Sequence, residues 1–272
     1  MVVNSEKAIA DLKALGIPEA DIRDLFRFRY HLDYDQTKTG RLFMMPERFN
    51  MDLEVLAANY PPAYLIGFVN FYHLHINVNS KVLIPRPETE ELMTLIEEKQ
   101  KRTLIHNALD LCTGSGCIAL SLKKMFPNAE VYGSDISPYA ISVAQENADF
   151  NKLEIYLALS DYLTYFVNRK MSFDLIVSNP PYIKDDEILD SSLGYEPQLA
   201  LFGGKDGLDA YKRIFADLPS VLNVHGVCYL EIEASNAQET LMLAEEMLRG
   251  FKAEILKDLE QKDRFLRLVR VS

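Results

Sequence analysis

The chain has 272 residues, 48% of them hydrophobic, and sets 29 Lys and Arg against 40 Asp and Glu for a formal net charge of −11 and a pI near 5.0. That is enough apolar material for one large or two modest domains. The charge is a poor match to a protein that grips nucleic-acid phosphates through a broad basic face, and no apolar run approaches the roughly 18 to 20 residues of a membrane span.

Cys112, Cys117 and Cys228 form no CxxC pair and lie in apolar segments. They predict core thiols in a reducing cytosol and no metal site; with no secretion signature at the start, a cytoplasmic location is expected. From Ser5 to about Tyr60 the pattern is helical. Ser5 is the expected cap of a helix carrying Ala8, Ile9, Leu12 and Leu15, which Gly16 and Pro18 stop. A second helix opens at Pro18 and carries Ile22, Leu25, Phe26 and Tyr30; a third carries Phe49, Leu53, Leu56 and Ala57 and ends at Pro61-Pro62. Residues 1–62 therefore read as a small helical domain.

Between Gly67 and Ser80 the period falls to two: Phe71, Leu74, Ile76 and Val78 alternate with His73, His75 and Asn77, which predicts a hairpin with one wet face. His73 and His75 have the spacing of a metal-ligand pair, but no third ligand is near, and polar residues on a half-exposed strand are the simpler reading. With a helix from Pro87 to about Lys101, residues 63–102 form a connector.

Over residues 103–272 strands and helices alternate, with strands expected at Ala108–Cys112, Glu130–Gly133, Leu153–Ala158, Phe173–Ser178, Val227–Ile232, Phe251–Leu256 and Phe265–Val271. This is the pattern of an α/β fold with a doubly wound, mostly parallel sheet and a ligand site at the strands' carboxyl ends. The first strand runs into Cys112-Thr113-Gly114-Ser115-Gly116, where Gly-x-Gly-x-x-Ala lets backbone approach a ligand and turn onto a helix. A dinucleotide would use the same turn. Asp135, 19 residues after Gly116, is placed either to accept from ribose hydroxyls or to cap the next helix. Asp110 separates the two cofactors: a carboxylate there suits the cationic amino-acid end of S-adenosylmethionine and gives a pyrophosphate nothing. Asp161 and Tyr162 can meet an adenine, by accepting from its amino group and stacking on its face, or can form a solvated turn.

Asn179-Pro180-Pro181-Tyr182 follows the apolar strand Phe173–Ser178. The prolines fix φ and carry no N–H, so the turn's carbonyls are held in a stiff geometry. Asn179 adds a side-chain acceptor and donor. The tetrad is read as a grip for both hydrogens of a planar –NH2 group with the Tyr182 ring as an apolar wall; a rigid surface turn is the alternative.

With the glycine turn, Asp135 and this tetrad in order, the chain resembles the S-adenosylmethionine-dependent class I methyltransferases. More narrowly it resembles the peptide chain release factor glutamine methyltransferases, the HemK/PrmC family. The narrower resemblance rests on Leu83-Ile84-Pro85-Arg86-Pro87-Glu88-Thr89-Glu90, and on Tyr195-Glu196-Pro197 running into Ala200-Leu201-Phe202-Gly203-Gly204-Lys205-Asp206-Gly207-Leu208. It spans Tyr64 to Val271; the helical region matches in position and type. It implies a seven-stranded methyltransferase sheet, cofactor positions at Cys112 to Gly116, Asp135, Tyr162 and Asn179, and glutamine-binding positions at Asn179 to Tyr182. It also implies that class I release factors are the protein substrate and that the helical domain helps to dock them. A monomer with no direct nucleic-acid or membrane partner is expected. The sequence departs from the family pattern at Gln261, where a glycine often precedes the late Asp-Arg pair, here Asp263-Arg264, and at Asn70 and His73 in the hairpin.

A carboxamide nitrogen is a feeble nucleophile, so Asn179 and the Pro180 carbonyl are expected to accept its hydrogens and turn it toward the methyl donor. No strong base is needed, because a methylated cationic amide loses its proton readily. Arg86 and Glu88 serve either as an anchor and acid near the mouth or as an ion pair pinning the linker to the sheet. An adenine N6-methyltransferase would use the same tetrad on a flipped base. A non-catalytic translation-factor binding module would keep the fold without the chemistry.

Overall fold

A computed structural model describes residues 3–272. The amino-terminal part runs α1 (Ser5–Ala14), α2 (Glu19–Asp24), a π-helical turn at Leu25–Arg29, α3 (Tyr34–Lys38), α4 (Arg48–Ala57) and α5 (Pro62–Ile66). Its helically spaced apolar residues, among them Ala8, Leu12, Ile22, Phe26, Phe49 and Leu56, close one cluster. The first cap sits one residue earlier than expected: the Asn4 side chain accepts from the Lys7 N–H at 2.9 Å. Ser5 is fully buried, and its hydroxyl accepts from the Phe43 N–H at 3.0 Å. Pro61-Pro62 lies beyond the end of α4, and Pro62 itself opens α5, where a missing N–H costs nothing. Leu65 and Ile66 of α5 pack on the amino-terminal cluster, whereas Tyr64 belongs to the core beneath the sheet and donates to the Val82 carbonyl at 2.7 Å.

The hairpin pairs β1 (Phe68–Phe71) with β2 (Leu74–Asn77) around Tyr72 and His73, both in left-handed conformation as a tight two-residue hairpin turn requires. His75 is stacked between Phe68 and Phe150, with ring centres 3.9 and 4.4 Å away, and its Nε2 lies 3.0 Å from Asn77 Oδ1. It packs as an aromatic residue, and among the described residues no group of three or more His, Cys, Asp or Glu is placed to hold a metal.

After α6 (Pro87–Gln100) the order is β3 (Asn107–Leu111), α7 (Cys117–Met125), β4 (Glu130–Asp135), α8 (Pro138–Asn151), β5 (Tyr156–Leu159), α9 (Thr164–Arg169), β6 (Phe173–Ser178), α10 (Asp209–Val221), β7 (Leu222–Glu231), α11 (Ala237–Met247), β8 (Phe251–Lys257) and β9 (Asp263–Arg270). The sheet order is β5-β4-β3-β6-β7-β9-β8, parallel except for β9, which runs antiparallel to both neighbours. Successive strand residues feed opposite layers: Leu175 and Val177 join the cluster containing α6, α7 and α8 residues, and Ile176 joins the one containing Phe166, Ile214 and Ala244.

β7 starts five residues before the expected Val227. Leu222 pairs with Phe173, the register then shifts, and His225 takes φ +68°, so an irregularity hides the strand's start behind a turn-like Asn-Val-His-Gly. Gln261 adopts φ +66°, the conformation for which a glycine would be preferred, and its N–H still closes the turn on the Asp258 carbonyl at 3.0 Å. The hairpin is fastened to the glycine turn after β3 by buried Asn147 of α8, which accepts from the Asn77 N–H at 2.7 Å and donates to the Asn77 and Ser115 carbonyls at 3.0 and 2.9 Å.

Candidate active site

Strand order reverses between β3 and β6, whose carboxyl ends lie side by side, and the segments leaving them face a cavity of about 240 Å³. Cys112 leaves β3 with φ +62°, and Tyr162 reaches the cavity with φ +45°. Two non-glycine residues in the left-handed region show backbone fixed by its surroundings rather than by propensity. The Gly114 N–H donates to Asp135 Oδ2 at 2.9 Å and the Ser137 N–H to Asp135 Oδ1 at 2.9 Å, so one carboxylate joins the glycine turn to the start of α8. Burial lifts the Asp135 pKa against the pull of these N–H groups. The cap of α8 is Ser137, whose hydroxyl oxygen accepts from the Ala140 N–H at 3.3 Å.

Cys112, Gly114, Asp135, Asp161, Tyr162 and Asn179 line this cavity. Thr113, Ser115 and Gly116 are buried behind the turn and build it rather than face the cavity. Asp110 departs from expectation: it is fully buried and does not form the wall. Its Oδ2 accepts from the Thr113 hydroxyl at 2.5 Å and the Ala119 N–H at 3.0 Å, tying the turn to α7, and its Oδ1 has no partner among the described residues. Burial pushes this carboxyl up to about 7. Asp161 accepts from Arg213 at 2.7 Å, and that guanidinium sits 5.5 Å from the Tyr162 ring centre.

At the end of β6 the Ser178 hydroxyl donates to the Leu111 carbonyl at 2.5 Å, fixing the tetrad's root to β3. Asn179 comes next and lines two cavities, the first and a second of about 180 Å³ walled also by Arg86, Tyr182, Glu187 and Glu233. Pro181 faces the first and Tyr182 the second, while Pro180 is buried and its carbonyl accepts no protein hydrogen bond among the described residues. The loop after the tetrad clamps it from outside. The Ile183 N–H donates to the Leu201 carbonyl at 2.9 Å and the Gly203 N–H to the Ile183 carbonyl at 2.8 Å. A Cβ at Gly203 would lie 2.6 Å from the Pro181 carbonyl oxygen, and one at Gly207 would strike the Tyr182 carbonyl, so the contact needs glycine.

Arg86 has a part of each reading, lining the second cavity and forming an ion pair. It pairs at 2.5 Å with Glu196, which also accepts from the Ile84 N–H at 2.9 Å and is 5% exposed. The linker is thus pinned to the segment after the tetrad; Glu88, half-buried, takes no part in that pair. Tyr195 beside it donates to the Ala58 carbonyl at 2.9 Å, joining this segment to the helical domain.

A further group escapes the sequence reading. Glu231, 1% exposed at the end of β7, accepts from the Thr89 hydroxyl at 2.7 Å and the Tyr182 hydroxyl at 3.2 Å. Thr89 in turn accepts from Asn179 Nδ2 at 3.2 Å. Burial pushes the Glu231 carboxyl up to about 7. Its signal was a lone carboxylate in the apolar run Cys228-Tyr229-Leu230-Glu231-Ile232.

A family model described as the methyltransferase small domain matches residues 88–193. A release factor glutamine methyltransferase of Lactococcus lactis is 36% identical over 269 residues, covering 94% of this chain and 98% of that protein. The chain belongs to the release factor glutamine methyltransferase family. A member from Streptococcus pneumoniae is 42% identical over 206 residues, covering 75% of this chain and 72% of that protein. Among solved structures, a methyltransferase from Pyrococcus furiosus superposes with a TM-score of 0.52 at 18% identity, covering 73% of this chain and 90% of that one, a likeness of fold. The family's cofactor is S-adenosylmethionine, and the first cavity fits it. Asp135 and Asp161 present carboxylates to this cavity, and Tyr162 presents a ring. Orphaned Ser134 Oγ is a buried polar atom left at the cavity wall.

Proposed function

We propose that this chain methylates the side-chain amide nitrogen of the glutamine in the Gly-Gly-Gln motif of class I peptide chain release factors. The observation that carries the reading is that Asn179 lines both cavities, the first fitted to the cofactor and the second beside it. S-adenosylmethionine supplies an electrophilic methyl on a sulfonium centre. Asp135 would hold the ribose hydroxyls, and Asp161 with Tyr162 the adenine; Cys112 and Gly114 would offer backbone, while Asp110, Thr113, Ser115 and Gly116 keep the turn in shape.

On the other side, Asn179 Oδ1 and the Pro180 carbonyl accept the two hydrogens of the glutamine amide. Pro181 stiffens the turn, and the Tyr182 ring walls the pocket. Holding both N–H bonds fixes the nitrogen's direction toward the methyl and stabilises the positive charge that develops on it. The proton leaves afterward to water or a carbonyl, which is why the site needs no base. Arg86 shapes the pocket through Glu196 rather than through the reaction. Residues 1–62 form the docking domain for the release factor, residues 63–102 the connector and residues 103–272 the transferase domain, and the hydrogen bond from Tyr195 to Ala58 gives the docking domain a direct hold on the substrate pocket. A protein rather than a nucleic acid as substrate agrees with the net charge of −11, and a cytoplasmic monomer is the form in which we expect the chain to act. Among the described residues no helix is long and apolar enough to cross a membrane.

The test is incubation with S-adenosylmethionine and purified release factor, followed by mass analysis of the Gly-Gly-Gln peptide. One added methyl on that glutamine is expected. Methyl only on added nucleic acid would overturn the reading in favour of an adenine methyltransferase, and cofactor binding with no methyl transfer would favour a binding module.

A further inference from the structure

We infer that Glu231 and Thr89 are positioning residues for the methyl transfer: the Glu231 carboxylate sets the direction of a hydrogen-bond chain that decides which end of the Asn179 amide faces the acceptor. The inference rests on Asn179 being the amide-gripping residue proposed above.

The number of protons available fixes the direction of this chain. An ionised carboxylate only accepts, so both hydroxyls on Glu231, from Thr89 and Tyr182, must point their protons at it. Thr89 has one proton, and it is committed. Its oxygen can then only accept from Asn179, which forces the –NH2 end of that amide toward Thr89 at 3.2 Å. The Oδ1 end is thereby left outward, with no hydrogen bond from the described residues, as an acceptor for a substrate N–H. Were Glu231 protonated, it could donate to Thr89; the Thr89 proton would be released toward Asn179, and the amide would be as stable with its ends exchanged. A site presenting –NH2 to a substrate –NH2 repels the group it must hold. The same carboxylate anchors the Tyr182 phenol, so the two tetrad side chains that face the second cavity are fixed from one buried point.

The groups facing Glu231 are Thr89 and Glu88 on α6, Cys117 on α7, Tyr182 after β6, Tyr211 on α10 and Arg264 on β9. Tyr211 donates to the Glu231 backbone carbonyl at 2.8 Å rather than to its side chain. Burial opposes the charged form most, with Glu88 beside it, whereas the Thr89 and Tyr182 hydroxyls and Arg264 favour it, and the carboxyl stands at about 7. Turnover should therefore rise with pH as this group ionises.

The experiment compares the full-length wild type with Glu231→Gln, Thr89→Val and Thr89→Ser, measuring kcat and KM for release factor, kcat against pH, and S-adenosylmethionine affinity by calorimetry. Thr89→Val is expected to lose kcat by roughly tenfold to a hundredfold, with cofactor affinity within about twofold of wild type. Thr89→Ser, which restores the hydroxyl, is expected to recover most of that loss. Glu231→Gln is expected to lose kcat similarly and to lose the rise near neutral pH. Equal kcat in wild type and Thr89→Val would overturn the inference, as would a Glu231→Gln profile that keeps the wild-type rise. If Glu231→Gln does not fold, the Thr89 pair decides alone. If wild type itself places no methyl on glutamine, the proposed function fails, and this inference falls with it.

Discussion

Glu231→Gln should slow the enzyme and stabilise the fold at the same time. In the native state burial holds the Glu231 carboxyl at about 7, against 4.5 for the free group. The native state therefore keeps a proton that the unfolded chain has already lost between these two values. A folded pKa raised above the unfolded one means that stability is full below about 4.5 and falls as pH rises through about 7. A difference of about 2.5 units corresponds to about 3 kcal/mol by pH 8, with under 1 kcal/mol of it present at pH 5. Glutamine does not titrate, so the variant escapes the loss. Urea unfolding of wild type and variant at steps from pH 5 to 8 gives the difference curve directly. Asp110, also held at about 7, titrates in both proteins and cancels. The variant is expected to gain about 2 to 3 kcal/mol relative to wild type across that range, with unchanged m-value. A variant less stable than wild type at pH 8, or a difference that does not move with pH, would show that Glu231 is not a strained buried carboxylate.

Asn179→Ala removes an acceptor whose charge stabilisation matters only as the nitrogen becomes cationic, so kcat should fall by about two to three orders of magnitude, with S-adenosylmethionine affinity largely kept; a variant within tenfold of wild type would exclude the role. Gly203→Ala drives a Cβ to 2.6 Å from the Pro181 carbonyl oxygen; a loss of about 1 to 3 kcal/mol in thermal unfolding and a lower kcat are expected, and retention of both would mean the loop does not clamp the tetrad. Arg86→Ala strands Glu196, whose side chain is 2% exposed; urea unfolding should show a cost of about 3 kcal/mol, against less than about 0.5 for Glu88→Ala, and equal effects would refute the pairing. Asp135→Asn should weaken cofactor binding by roughly tenfold in calorimetry without altering release-factor binding, and an unchanged cofactor affinity would remove Asp135 from the ribose.

The sheet was legible because its parts are local. Runs such as Phe173–Ser178 carry their own period, and the glycines after β3 mark the turn with no need of tertiary information. What stayed hidden depends on contacts across the chain. Tyr34–Lys38 is five residues long, too short for an apolar stripe, and owes its start to the Asp33 cap on Gln36. The opening of β7 is masked by a register shift that only its pairing with β6 reveals. Asp110 sits two residues before Cys112 at the end of a strand, and sequence spacing alone cannot say that it points into the core under α7 rather than into the cavity. The partner of Arg86 is hidden because Glu196 is its neighbour in space but 110 residues away in sequence. Glu231 could have been flagged by composition, but its partners Thr89 and Tyr182 are 142 and 49 residues away.

These hidden contacts share a direction. Glu196 draws the linker onto the loop after the tetrad, Gly203 and Gly207 let that loop press on the tetrad's carbonyls, and Glu231 fixes its side chains from beneath. Each costs stability or sequence freedom: two buried carboxylates and two positions closed to any side chain. A surface turn would require none of them, since two prolines already make it stiff. The expense is rational if the tetrad must be rigid in three ways at once, with its carbonyls aimed, its asparagine oriented end for end, and its tyrosine anchored at the wall of the second cavity. A weak amide nucleophile sets that demand, because with no base to activate it the rate depends on how narrowly its nitrogen is aimed.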